Sequence, residues 1–334
     1  MRPVWHSQLS YILQTSAVVF QSHRLCVLLV KILVICCSCQ QSESVLYQLL
    51  PTETSSELTG IYFNNSTGGI LVGGETWKAG IVLKTNTLSN PWASNKVYDK
   101  EIFCLSYNAH SDLWCAGIDK IYNITKDTVV SFFSGDYRFY RGIDISDDQH
   151  ILMAGGEAFR IGYIESFDRV SNQFLKYLEI DHELDAIAAV KDSSWIACGF
   201  GIILRSEDHG FHWDTLPYNG DHFRDIFTLD QKNIFIVGIS GNILHSNDGG
   251  YHFTFLRKSS GIFTAYAPLR AVAFKNVQEG LVSGESGLVW KTENGGKDWI
   301  RLEGLPEVSY LDIFVYENVY FLCGSNGTLI QLKI

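Results

Sequence analysis

The stretch RSEDHGFHWDTLP, residues 205–217, gathers hydroxyl, carboxylate, imidazole and indole groups within a few residues. A serine beside a histidine and an aspartate is what nucleophilic catalysis uses, with the imidazole activating the hydroxyl. Here Ser206, Asp208, Gly210 and Trp213 stand at the spacing S-x-D-x-G-x-x-W. The same spacing returns in HSNDGGYHFTFL as Ser246, Asp248, Gly250 and Phe253, and in KTENGGKDWIRL as Thr292, Asn294, Gly296 and Trp299. Asparagine cannot trade protons as a carboxylate does, and one reaction does not need its acid at each repeat. The pattern is therefore read as a turn: Ser or Thr and Asp or Asn cap backbone N–H groups, glycine supplies a positive φ, and the aromatic packs between repeats.

The elements around the motif repeat as well. An apolar strand ending at glycine recurs as ILVGG, LWCAG, ILMAGG, WIACG, IFIVG, GLVSG and YFLCG. A second kind of strand precedes each: LTGIYF, IFCLSY, YRGIDI, LDAIAA, FRDIFT, LRAVAF and YLDIFV, centred on Ile61, Leu105, Ile143, Ile187, Ile226, Val272 and Ile313. The period of roughly 40–45 residues is that of four-stranded propeller blades. One such sheet cannot bury both faces, but a ring of them can. The fold expected is all-β, a single seven-bladed β-propeller of four-stranded blades spanning 45–334. The last repeat ends at Ile334 without a fourth strand, and VLYQLLP (45–51) resembles the fourth strands WDTLP and IRLEGLP. The N-terminal strand 45–51 is expected to complete the last blade and close the ring.

Composition agrees. The chain has 334 residues, 46% hydrophobic and 19% charged, with 29 glycines against 6 prolines, which favours many short strands and tight turns. Its net charge of −10 argues against nucleic acid or an anionic membrane surface as partner. Residues 1–38 read as an export segment: Arg24 precedes an apolar run from Leu25 to Cys37, interrupted by Lys31 and followed by an abruptly polar stretch. That run is shorter than the roughly 20 residues a membrane span takes. The long stretch before Arg24 points to a start codon downstream of Met1. Residues 39–44 are expected to be a short tether. Of the remaining cysteines, Cys104, Cys115, Cys198 and Cys323 lie in apolar runs without a C-x-x-C pair and read as buried small hydrophobes.

The S-x-D-x-G-x-x-W motif resembles the Asp box, or bacterial neuraminidase repeat, of sialidases, sortilin-type receptors, some glucanases and photosystem II assembly and stability factors. Three copies are good and four are degenerate. Overall the chain is similar to the photosystem II assembly-factor family, whose resemblance implies one seven-bladed Asp-box propeller in a lumenal or periplasmic location. The segment around Cys39 and Cys37 resembles a bacterial lipobox, which implies lipidation of one of them; a plain secretory signal or an uncleaved anchor is the alternative. The expected location is the cell envelope, on its periplasmic or outer-membrane face.

Sialidases clamp a substrate carboxylate with three arginines and carry Arg-Ile-Pro ahead of the first Asp box. FRIG (159–162) approaches that motif but has Gly162 in place of proline, and Arg160 reads as a strand-end arginine. Histidines 209, 212, 222, 245 and 252 lack metal-ligand spacing. No metal, cofactor or catalytic residue is expected. The candidate binding site is instead one mouth of the central channel, where Arg141, Arg224 and Arg270 stand two residues before the central aliphatics of their strands. One reading gives these arginines to an anionic group on a protein partner, with Tyr137, Tyr140, Phe223, Tyr266 and Tyr310 supplying contact area. The other pairs them with Asp185, Asp225 and Asp312, stitching blades together. The expected function is a non-catalytic interaction platform; the alternative is a carbohydrate-binding or sialidase-like propeller.

Overall fold

A computed structural model describes residues 41–334 apart from 65–67, 88–91, 109, 126–128, 136, 147–149, 192 and 260–266. The expected export segment, with Cys37 and Cys39, lies outside the described residues. Seven sheets follow one another along the chain; the strands of the first five run in sequence order, and the last two each take in a strand from the N-terminal end. Their inner strands are Glu57–Phe63, Ile102–Tyr107, Tyr140–Ile145, Leu184–Lys191, Phe223–Thr228, Leu269–Phe274 and Tyr310–Tyr316. The propeller is seven-bladed, as the repeats predict. Tyr47–Leu49 pairs antiparallel with Leu329–Leu332 of the last blade, so the N-terminal strand supplies the missing fourth strand. This satisfies edge groups that would otherwise be open to another chain.

The expected tether departs from the structure. Ser42–Ser44 forms a fifth strand, parallel to Ile300–Glu303 of the sixth blade, and Lys291 holds Glu43 at 2.7 Å. Its sequence, SES, has no apolar alternation to announce a strand. Backbone pairing at an edge does not need one.

Packing between blades makes the core. Leu152 and Ala154 of the third blade meet Ile187, Trp195, Leu204 and Trp213 of the fourth. Each Asp box serves this joint. Ser206 Oγ accepts the Gly210 N–H at 3.0 Å, Asp208 Oδ1 accepts the His212 N–H at 2.9 Å, and Trp213 Nε1 donates to Gly210 O at 2.8 Å. Gly210 has φ +88°, and a Cβ there would lie 2.7 Å from Leu152 of the preceding blade. The sister copies repeat this: Ser246 and Thr292 accept Gly250 and Gly296 N–H groups at 2.8 Å, while Asp248 and Asn294 accept those of His252 and Asp298 at 3.0 Å. The hydrogen bond from the His212 side chain holds the Asp208 carboxyl down to about 2. These side chains are spent on their own turn. Cys104, Cys115, Cys198 and Cys323 form no disulfide, and all but the half-buried Cys104 are buried.

Candidate functional site

The inner strands surround an axial cavity of about 560 Å³. All seven carry a register shift near their start: Leu58/Gly60, Ile102/Cys104, Tyr140/Gly142, Leu184/Ala186, Phe223/Asp225, Leu269/Ala271 and Tyr310/Asp312. A bulge leaves one residue unpaired and re-aims its side chain. That residue is Arg141, Asp185, Arg224 or Arg270 in the third to sixth blades, and each lines the cavity. The bulge thus delivers the three arginines to one mouth.

The same bulge removes most of the tyrosines and phenylalanines expected beside them. Tyr140, Phe223 and Tyr310 stand one residue earlier, on the paired side, and are fully buried between blades. Tyr140 donates to Glu165 at 2.5 Å and Tyr310 to Pro306 O at 3.2 Å, so neither offers contact area to a partner. Tyr266 lies outside the described residues. Tyr137 is exposed at the mouth, in a loop with φ +52°.

Arg141 and Arg224 converge on the intervening blade. Arg224 Nη1 reaches Asp185 Oδ1 at 2.7 Å; Arg141 Nε reaches Glu183 at 2.8 Å and Asp185 at 4.0 Å; His222 completes the set on Asp185 Oδ2. Burial alone would raise the Asp185 carboxyl, but the His222 hydrogen bond and the charges of Arg224 and Arg141 overcome it and hold the group below its usual range. Arg270 pairs with Glu285 on the turn of its own blade, Nε at 3.1 Å. Two guanidinium groups against two carboxylates, and one against one, leave this mouth without excess positive charge from its arginines.

Asp225 and Asp312, the other expected arginine partners, do something else. They follow the bulge, and each bridges its own strand to the next blade. Asp225 accepts Ile226 and Val272 N–H groups, both at 2.8 Å; Asp312 accepts Ile313 at 2.8 Å and Ile61 at 2.9 Å. Asp144 does the same deeper in the channel, to Ile145 at 2.9 Å and Ala189 at 2.7 Å. Burial pushes Asp225 up to about 7, with Asp312 adding to it, and burial likewise pushes Asp312 up to about 6.

A folded-state value above the unfolded one means that the folded chain holds these protons longer. The stability they contribute is full below the unfolded value near 3.8 and is lost as pH rises through 6 and 7. His245, lowered by burial, works in the opposite direction. The expected result is therefore a difference: Asp225→Asn flattens the fall in urea-unfolding free energy between pH 5.5 and 8.5 relative to the unsubstituted protein. Equal slopes would show that Asp225 titrates normally.

Three rings missed by sequence reasoning, Trp77, Phe159 and Phe200, join Tyr137 near the starts of the inner strands. Trp77, Tyr137, Phe159 and Phe200 are 67%, 58%, 54% and 44% exposed. They form two clusters: Trp77 and Tyr137 on Phe139 at 5.4 and 5.5 Å, and Phe159, Phe200 and His222 with centroids 5.2 to 5.7 Å apart. Trp77 and Phe159 occupy equivalent turns, ETWKAG and EAFRIG, whose shared E-x-aromatic-basic-x-G pattern was a signal available in the sequence. Among the described residues no group of three or more His, Cys, Asp or Glu is arranged to hold a metal ion.

Residues 219–311, which include Arg224, Arg270 and two Asp boxes, match the family model of the photosynthesis system II assembly factor YCF48. Comparison with curated proteins finds none that matches. Among solved structures, YCF48 from Cyanidioschyzon merolae is similar over 86% of this chain and 98% of that one, with 14% identity and a TM-score of 0.65. YCF48 bound to D1 peptide is similar over 88% and 97%, with 13% identity and a TM-score of 0.66. Virginiamycin B lyase from Staphylococcus aureus is similar over 87% and 100%, with 13% identity and a TM-score of 0.71. At such identities the likeness shows a fold, that of a photosystem II assembly-factor-like seven-bladed propeller.

Proposed function

We propose that the chain is a non-catalytic interaction platform of the cell envelope, whose arginine-bearing mouth receives a segment of a partner protein. The observation that supports this most is the concentration, at one mouth, of bulge-aimed arginines and exposed rings, the residue types enriched at binding hot spots. The similarity to YCF48 bound to D1 peptide supports a protein partner. A glycosidase needs two carboxylates at liberty to act as acid and nucleophile. Here Asp144, Asp185, Asp225 and Asp312 are each engaged by backbone N–H or cationic groups. Arg270, on the least enclosed pair, is the guanidinium this reading assigns to an anionic group of the partner. A glycan is the rival occupant, favoured by the exposed indole of Trp77, on which a sugar ring can stack.

The reading also takes the protein to be exported and held by lipid on Cys39 or Cys37, supported by the basic, apolar, then polar run after Arg24. Mass spectrometry of the mature N-terminus, repeated on Cys39→Ser and Cys37→Ser, checks that part. For the platform, a photo-crosslinking residue is placed at Tyr137 or Phe200 and, as a control, at Val170 on the opposite face. The expected result is one reproducible protein adduct from native envelopes at the first two positions only, beside a blank glycan array. Glycan binding without an adduct would favour the rival.

A further inference from the structure

We propose that the Trp77–Phe139–Tyr137 cluster, backed by Glu101 and Asp119, is a docking pocket for a cationic side chain, Lys or Arg, of an extended partner peptide. The proposal rests on the platform reading and names what one part of that mouth recognises.

Trp77 and Tyr137 have φ of +63° and +52°, a region that glycine or asparagine enters far more readily than a bulky aromatic. Neither ring is needed for the core, since both are more than half exposed. Bulky residues persist in such positions when the surroundings enforce them, and such positions gather at ligand sites. Here a buried carboxylate of the next blade, Glu101, accepts the Trp77 N–H at 3.3 Å and fixes the turn.

Glu101 has no ion pair among the described residues, and burial and the neighbouring Glu57 push its carboxyl above the usual range. Asp119, buried beside the Ile118–Phe139 bridge, has an Oδ1 without a hydrogen-bond partner, and burial raises it too. Glu101, without an ion pair, and Asp119, whose charge Lys100 and Lys120 offset only in part, make surroundings beside exposed ring faces that favour a cation, through ring quadrupole and Coulomb attraction together. Lys100 shows that the site accepts one: its Nζ lies 5.3 Å over the Tyr137 ring. The face of Trp77 remains open. At the other clusters the carboxylates already have cations, as Asp185 and Glu183 do.

The test uses fluorescein-labelled peptides of sequence Gly-Ala-Leu-X-Leu-Ala-Gly with X as Arg, Lys, Gln or Glu, titrated by fluorescence anisotropy against the folded protein. The Arg and Lys peptides are expected to bind about tenfold or more tightly than the Glu twin. Trp77→Asn is expected to abolish that preference with an unchanged or raised Tm, because asparagine tolerates the turn; Glu101→Gln is expected to weaken it. Equal binding of the twins, a preference that survives Trp77→Asn, or no binding by any peptide overturns the proposal. Crosslinking at Tyr137 judges the platform separately: an adduct there with no cation preference leaves the platform standing and removes the pocket.

Discussion

Asp185→Ala is expected to destabilise the propeller by about 3–5 kcal/mol, the cost of breaking a buried ion pair from one side. The carboxylate is almost wholly enclosed and faces Arg224 at 2.7 Å, Arg141 at 4.0 Å and His222. Removing it strands Arg224 of the following blade and leaves Arg141 of the preceding blade to Glu183 alone. Urea unfolding at neutral pH measures the loss. Arg270→Ala is the contrasting variant: its pair with Glu285 is part-exposed, and pairs of that kind are worth about 1 kcal/mol or less. A loss below about 1 kcal/mol for Asp185→Ala would mean that the network does not join the blades. The contrast has a bearing on function. Reversing Arg141, Arg224 and Arg270 together sets new carboxylates against Asp185 and Glu183 and is expected to unfold the ring, so that variant cannot report on partner capture. Arg270→Ala alone can.

This difference between the arginines could not be read from the sequence. Alternation along a strand gives side chains two directions, and Arg141, Arg224 and Arg270 stood at a register that either reading accommodated. The bulge decided it, and a bulge is set by how the inner strand meets its neighbour rather than by any residue type at the site. For the same reason Tyr140, Phe223 and Tyr310 looked available and are buried. The ring itself was legible because the blades share local requirements: an apolar inner strand, a glycine near the end of the second strand and, in three of them, an Asp-box turn. Ser42–Ser44 escaped notice because edge pairing needs only backbone. Trp77 and Phe159 were hidden for another reason: their turns repeat in two blades, not seven, so the sevenfold period does not mark them.

The glycine that ends each second strand leads to the other large effect. At Gly199 a Cβ would lie 2.0 Å from the Glu183 carbonyl oxygen and 2.6 Å from Leu184 Cα. Gly73, Gly117, Gly155, Gly284 and Gly324 meet the equivalent carbonyls, of Glu57, Glu101, Phe139, Pro268 and Ser309, at 1.9 to 2.1 Å. Backbone sits against backbone at the start of the inner strand, and no rotamer change can make room. Gly199→Ala is therefore expected to cost about 3 kcal/mol or more, the upper end of overpacking, against the few tenths to 1 kcal/mol that alanine returns through the unfolded chain. Gly220→Ala separates this from the cost of a positive φ alone. At φ +85° with no atom near its Cβ, it is expected to lose only about 1–2 kcal/mol. The site should feel the first substitution and not the second. Glu183 carries both Arg141 and, at 2.7 Å, the N–H of Phe159, so displacing its backbone moves a guanidinium and an exposed ring together. Crosslinking at Phe200 is expected to fall in Gly199→Ala under conditions where the protein remains folded, and to persist in Gly220→Ala. Equal crosslinking in the two would mean that the mouth tolerates movement of the strand start that carries it.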